Sequence, residues 1–194
     1  MYENKKSTTI IGVIAVIIAI IFTTAIGTYN TLMSLEENVN LQYSQIETNL
    51  QRRADLIPQL VETVKGYSKH EEMVFTEIAN AREQLTSSLS SGDINNIAES
   101  NEELTVALNK FLAIAEAYPE LKANDQYIAL MDEIAGCENR IAVSRQYYNE
   151  AVQKYNLKIR RYPANIFAKF LGFEQCDYFK ADDSASSAPE INFD

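Results

Sequence analysis

From residue 7 to residue 35 the chain carries no charged side chain, and residues 10–22 read Ile-Ile-Gly-Val-Ile-Ala-Val-Ile-Ile-Ala-Ile-Ile-Phe. The apolar run extends over residues 8–26, about the ~20 residues a helix needs to cross a bilayer. Its β-branched residues favour strands in water. In lipid, however, an unpaired backbone is too costly, and a single segment can satisfy its own N–H and C=O groups only as a helix. A cleaved signal peptide is the rival reading, with Lys5 and Lys6 as its basic start and Thr23-Thr24-Ala25 as a cleavage site. The run exceeds the 7–15 apolar residues usual in such a peptide, so an uncleaved anchor is expected. Lys5 and Lys6 precede the run and the next basic residue is Arg52. The positive-inside rule then places the N-terminus in the cytoplasm and the body outside it.

Beyond the anchor the pattern is helical throughout. Leu32, Leu35, Val39, Tyr43, Ile46, Leu50, Arg53, Ile57, Leu60 and Val64 recur at steps of three and four, marking a first body helix over about 30–65. At 1.5 Å per residue it is on the order of 50 Å long. Pro58 predicts a kink there, and Gly66 fits a helix end. Ser68-Lys-His-Glu71 reads as a capping box for a second helix with the stripe Val74, Ile78, Ala81, Leu85 and Leu89. The polar run 86–92 predicts a turn and Asp93 an N-cap. A third stripe runs Ile94, Ile97, Asn101, Leu104, Leu108, Phe111, Ala115 and Tyr118, and Pro119 ends it. Asn124 or Asp125 caps the fourth, in which Tyr127, Met131, Ile134, Glu138, Ile141, Arg145, Tyr148, Val152, Tyr155, Ile159 and Tyr162 follow a 4-3-4-3 rhythm to Pro163. A short amphipathic piece over 165–171 is expected to pack back on these helices.

The expected fold is therefore all-α: an N-terminal transmembrane helix, then an antiparallel four-helix up-and-down bundle with long first and fourth helices. The division is 1–28 with the anchor at about 8–26, 29–180 for the helical body, and 181–194 as a disordered acidic tail. Coiled-coil pairing with another chain is the competing use of such stripes.

Charge excludes some partners. The three charges before residue 29 (Glu3, Lys5, Lys6) sum to +1, so with a net charge of −10 the remainder carries −11. Such a body repels polyphosphate, which argues against nucleic acid. One histidine and two distant cysteines, Cys137 and Cys176, make a structural zinc site a poor expectation, though one disulfide is possible. His70 falls in the first turn after the expected cap, where a solvated residue is ordinary. No serine or cysteine nucleophile motif, phosphate loop or zinc-protease motif occurs, nor the Glu-x-x-His pairs of a di-iron bundle. The adjacent carboxylates Glu36/Glu37, Glu71/Glu72 and Glu102/Glu103 splay to different sides of a helix. The expectation is that the chain is not an enzyme and uses no cofactor or metal.

Three charged residues fall on core positions of the stripes: Arg53, Glu138 and Arg145. With the first and fourth helices antiparallel, residue numbers summing to about 194 come level. Arg53 then lies within a turn of Glu138, and Arg145 lies level with Asn49. An Arg–Glu–Arg layer could satisfy these charges by bidentate hydrogen bonds, setting register at some cost in stability. The structural pairing is the favoured reading, and a ligand or partner site at this layer is the alternative. Arg52, Arg53, Asp55, Glu138 and Arg145 are the candidate polar-layer or interaction residues.

Several blocks carry a family resemblance. They include Gln51-Arg-Arg-Ala-Asp-Leu-Ile-Pro-Gln-Leu-Val-Glu-Thr-Val-Lys-Gly-Tyr67 and Glu116-Ala-Tyr-Pro-Glu-Leu-Lys-Ala-Asn124. Glu138-Asn-Arg-Ile-Ala-x-x-Arg145-x-x-Tyr148-Asn149, Tyr162-Pro-Ala-Asn165, Gly172-Phe173 and Tyr178-Phe179 follow in order. In these the chain resembles the LemA family of bacterial membrane proteins. The resemblance implies a membrane-anchored antiparallel helical bundle and supplies no general enzymatic activity. Family members tied to magnetosome membrane formation imply membrane shaping or scaffolding, and members encoded beside membrane proteases imply an adaptor. The leading expectation is a non-enzymatic scaffold or adaptor at the cell envelope. It is anchored in the cytoplasmic membrane, with the lipid bilayer and an unknown protein as partners. A small-ligand or signal-sensing module and a membrane-shaping protein are the alternatives.

Overall fold

The computed structural model describes residues 2–67, 71–115 and 117–180, and every element among them is a helix. The elements are α1 (Tyr2–Lys65), α2 (Glu72–Ser91), α3 (Ile94–Ala115), α4 (Pro119–Lys122), α5 (Asp125–Arg160) and α6 (Ala164–Leu171). The apolar run and the first body helix are one continuous helix, α1, because nothing between residues 26 and 30 breaks it. Every large apolar side chain in residues 10–26 is exposed. A helix that is apolar on all sides and covered on none is long and apolar enough to cross a membrane.

The chain divides into two compact units, one of Met1–Leu41 with Glu150–Cys176, the other of Gln42–Asn149 with Asp177–Asp194. In the second unit the predicted stripes form the core. Ile46, Leu50, Ile57, Leu60 and Val64 of α1 are buried, as are Ile78 and Leu85 of α2, Ile97, Leu104 and Phe111 of α3, and Ile134 and Ile141 of α5. Phe75, which the α2 stripe omits, is also buried, its ring 6.0 Å from that of Phe111. Polar contacts tie the helices together. Arg82 Nε of α2 donates to Ala54 O of α1 at 3.0 Å, and Asn49 Nδ2 of α1 donates to Ser144 Oγ of α5 at 2.9 Å. Lys110 of α3 pairs with Glu77 of α2.

In the first unit, Leu32 and Val39 of α1, Val152 and Tyr155 of α5, and Ala164 and Ala168 of α6 are buried. The rings of Tyr29 and Phe173 lie 5.9 Å apart. Tyr155 Oη donates to Glu36 Oε1 at 3.3 Å. Burial first, and then the Glu36 carboxylate, raise the pKa of that hydroxyl.

Local differences from the sequence expectations have local causes. Helix α2 runs through the polar stretch 86–91, where hydroxyls bond back into the helix: Thr86 Oγ1 to Arg82 O at 3.0 Å and Ser90 Oγ to Thr86 O at 3.0 Å. The turn shrinks to Gly92, a left-handed C-cap with φ of 71°, and Asp93. Asp93 Oδ1 accepts the backbone N–H groups of Asn95 and Asn96 at 2.9 and 3.3 Å, as an N-cap should. Residues 68–70, which include His70 and the start of the expected capping box, lie outside the described residues. Helix α2 begins at Glu72 with Glu71 as its N-cap and no side-chain capping bond, three residues later than the box predicts. Gly66 follows the end of α1 without a left-handed φ. Pro119 opens the added short helix α4, and Asn124 Oδ1 caps α5 through Tyr127 N at 3.0 Å. Both cysteines are free thiols. The expected tail, 181–194, also lies outside the described residues.

Candidate functional site

The three core charges separate into two arrangements, both in the second unit. Arg53 is the first. Its position on the apolar stripe of α1 forces the guanidinium inward, and its side chain is only 1% exposed. Nη1 donates to Asn101 Oδ1 at 2.7 Å, and Nη2 donates to Thr105 Oγ1 at 3.0 Å. Glu138 Oε2 lies 3.2 Å from Nη1. Asn101 and Thr105 are one turn apart on α3, so they present two acceptors side by side to a planar fork. The Nε–H finds no protein acceptor among the described residues. Burial pulls the guanidinium pKa down, and the Glu138 carboxylate opposes that pull.

Glu138 itself is half-exposed, 51% of its side chain reaching solvent, although the rhythm of α5 puts it on a core position. Its neighbour Cys137 is fully buried instead. The stripe of α5 is thus wider than one residue per turn, and the carboxylate sits at its rim. There it meets Arg53 with part of its own hydration intact, so the desolvation falls on the guanidinium.

Arg52 and Asp55, the other two candidates on α1, point outward. Arg52 Nη2 pairs with Glu133 of α5 at 2.6 Å, and Asp55 accepts from Gln51 Nε2 at 2.8 Å. Glu133 also receives Arg140 Nη2 at 2.9 Å. Both Arg52 and Asp55 line an open groove of about 680 Å³, together with Glu47, Gln51, Gln59 and Leu89. Arg53 is not among its lining residues.

Arg145 makes the second arrangement. The contacts of Arg145 are with other partners than those of the Arg53–Glu138 pair. Arg145 is engaged by the chain's own C-terminal segment: its Nη2 donates to Lys180 O at 2.7 Å, and its guanidinium lies 4.4 Å from the centre of the Phe179 ring. Phe179 is buried, and Asn149 holds its backbone from both sides. Asn149 Nδ2 donates to Phe179 O at 3.0 Å, and Phe179 N donates to Asn149 Oδ1 at 2.9 Å. Tyr148 Oη donates to Asp177 O at 2.9 Å. The first unit uses the same device: Asn156 and Cys176 exchange a reciprocal pair of bonds at 2.8 and 2.9 Å. A side-chain amide has the donor–acceptor spacing of a peptide group, so each asparagine pairs an extended residue much as a strand would.

Sequence reasoning missed the role of Asn149 and Asn156. The available signal is two asparagines seven residues apart on α5, each directly after a buried tyrosine of the stripe (Tyr148 and Tyr155). Their partners are irregular, with no period to show them.

Tyr43 completes this side of the second unit. Its ring lies 6.2 Å from that of Tyr148, and its hydroxyl donates to Gly92 O at 3.1 Å. Burial, then the carboxylates of Glu47 and Asp93, push its pKa from 10.0 up to about 12. A folded pKa above the unfolded one means the stabilisation is whole below pH 10 and is lost as pH rises toward 12. The urea midpoint should therefore fall over that window. In Tyr43→Phe the fall should be shallower, as a pH series followed by circular dichroism would measure.

Among the described residues no group of three or more His, Cys, Asp or Glu side chains is placed to hold a metal ion.

Comparison with known proteins gives a family match over most of the chain: the model described as the LemA family covers residues 42–193. Magnetosome protein MamQ 2 of Paramagnetospirillum magneticum is 26% identical over 211 residues, covering 94% of this chain and 76% of that protein. Magnetosome protein MamQ of Magnetospirillum gryphiswaldense is 25% identical over 195 residues, covering 87% and 72% respectively. Protein LemA of Metamycoplasma hominis is 25% identical over 166 residues, covering 84% and 74%.

Proposed function

The chain belongs to the LemA family, and from that premise we propose that it is a membrane-anchored, non-enzymatic scaffold or adaptor. The observation that carries this reading is the continuity of α1. One helix presents residues 10–26 with every large apolar side chain exposed, then buries Ile46, Leu50, Ile57 and Leu60 in a packed core. An apolar helix without cover needs lipid, and the same helix supplies core residues to the body. The body, 29–180, is an up-and-down antiparallel arrangement in this reading. Support comes from rising numbers on α1 meeting falling numbers on α5: Asn49 with Ser144, Arg53 with Glu138. Lys5 and Lys6 favour a cytoplasmic N-terminus and a body outside the cytoplasmic membrane. The groove beside Arg52 and Asp55 is the surface offered to a protein partner, because its charges are exposed while those of Arg53 are occupied internally.

Alkaline carbonate extraction and protease shaving test the tether. The chain should stay in the membrane pellet, and its body should be digested in spheroplasts but protected in inverted vesicles. Release by carbonate, or a mature form that begins after residue 26, would overturn the anchored reading. Crosslinking in cells should capture a reproducible partner through Arg52 and Asp55. No such partner, together with no membrane phenotype on deletion, would overturn the adaptor reading.

A further inference from the structure

Helix α6 is apolar on both of its faces. Ala164 and Ala168 are buried on one side, while Ile166 and Phe170 stand out on the other, 57% and 88% exposed. Tyr162, just before the helix, is 81% exposed, although the rhythm of α5 places it on the core stripe. The surroundings are basic in an acidic chain. Residues 151–173 contain Lys154, Lys158, Arg160, Arg161 and Lys169 and no acidic residue, against a net charge of −10 overall. None of these five is ion-paired among the described residues. Position is the third observation. Gly172 turns the chain with φ of 79°, and Phe173 N donates to Ala168 O at 3.0 Å, which brings the Phe173 ring to 5.9 Å from Tyr29. Tyr29 is three residues past Ile26, where the apolar run stops. That is about 4.5 Å along the helix, within one turn of the level where α1 leaves hydrocarbon.

An exposed apolar face flanked by cations, held at the depth where a spanning helix emerges, has the composition of an element lying in a bilayer interface. We propose that α6 and the basic stretch leading into it are a second membrane contact. The Ile166/Phe170 face is sunk in the interfacial layer of the bilayer that α1 crosses, and Arg160, Arg161 and Lys169 hold anionic phospholipid headgroups. Tyr29 and Tyr162 take the interfacial positions that amphipathic rings prefer. The consequence is functional: a single spanning helix is free to spin and tilt, whereas a second contact fixes the orientation of the first unit against the membrane. Seated there, α6 depends on α1 crossing the bilayer, as proposed above.

The chain contains no tryptophan, so one indole can report from a chosen place. Full-length Phe170→Trp, Phe22→Trp and Tyr147→Trp proteins would be reconstituted in phosphatidylcholine–phosphatidylglycerol vesicles carrying bromine at shallow acyl positions. Phe170→Trp should emit to the blue of a water-exposed indole and be quenched by bromolipid. Phe22→Trp should be quenched as the anchor control, and Tyr147→Trp, in the second unit, should be unaffected. Arg160→Gln, Arg161→Gln and Lys169→Gln in the Phe170→Trp background should weaken quenching, as should omission of phosphatidylglycerol. Each charge removed should shift the seated-to-free equilibrium by about fivefold. An unquenched, water-like Phe170→Trp beside a quenched Phe22→Trp would overturn the α6 contact and leave the anchor standing. A blue-shifted but unquenched Phe170→Trp would mean protein covers the face, such as a second copy, and would overturn it too. Loss of quenching at Phe22→Trp would overturn the anchor and this contact together. Quenching equal with and without phosphatidylglycerol would overturn the headgroup assignment.

Discussion

Arg53→Ala should destabilise the helical body by about 3–5 kcal/mol, the sum expected of a core void and an orphaned buried acceptor. The substitution acts in two places. It leaves a void among Leu50, Ala54 and Ile57, whose side chains are already fully buried, and a core void costs more than the lost transfer energy. It also strips Asn101 Oδ1, buried on α3, of its 2.7 Å donor, and an orphaned buried acceptor costs about 1–3 kcal/mol. Glu138 adds little, because it is half-exposed and rehydrates. For a chain of this length such a loss lowers Tm by on the order of 10 °C. Urea unfolding of the detergent-solubilised chain, followed by circular dichroism, is the direct measurement. Glu138→Gln should cost much less, since the amide oxygen can still accept from Arg53 at the rim. Arg53→Met with Asn101→Leu should recover most of the loss, because an apolar pair of similar volume leaves neither a void nor an orphaned amide, and Thr105 Oγ1 still donates to the backbone O of residue 101. It also removes the Nε–H that has no protein acceptor. If Arg53→Ala shifted the midpoint no further than Glu138→Gln, the guanidinium fork would not be holding α1 to α3.

The Arg53 pairing shows what the sequence can and cannot convey. Steps of three and four residues put Arg53 on the buried face of α1, and the antiparallel level rule puts it within a turn of Glu138. Both follow from helical geometry, which is periodic and therefore readable. Asn101 lies on the α3 stripe, so its burial is equally legible; its bond to Arg53 is not, because that depends on how α1 and α3 are rotated about their own axes. Glu138 and Tyr162 keep the rhythm of α5 but are exposed, because a stripe marks a direction and does not say how far the neighbouring elements extend to cover it. At the polar run 86–91, composition argues for a turn, while the helix continues with its hydroxyls turned back onto carbonyls of the preceding turn. Arg145 has contacts that no helical period can announce: its side chain is engaged by Phe179 and Lys180, in a segment without regular secondary structure.

Phe179→Ala should release that segment, at a cost of about 3 kcal/mol, the lower end for deleting a buried aromatic ring. The ring fills a site on α5 and gives the Arg145 guanidinium its face at 4.4 Å. Removing it takes away both the apolar contact and the cation–π attraction. Asn149→Ala attacks the same segment differently: it abolishes the reciprocal bonds to Phe179 N and O and leaves both backbone groups unpaired. An extended segment without helical bonds of its own can open locally, and opening caps the loss at whatever free energy held it down. The two substitutions should therefore be strongly non-additive, the double variant losing little more than either single one. Amide exchange at Phe179 and proteolytic cleavage around residues 177–180 should accelerate by on the order of a hundredfold, while the urea midpoint of the body moves much less. Additive losses, or a collapse of the midpoint equal to that of Arg53→Ala, would mean instead that residues 177–180 belong to the cooperative core and that Arg145, Tyr148 and Asn149 do more than clamp a separable strap.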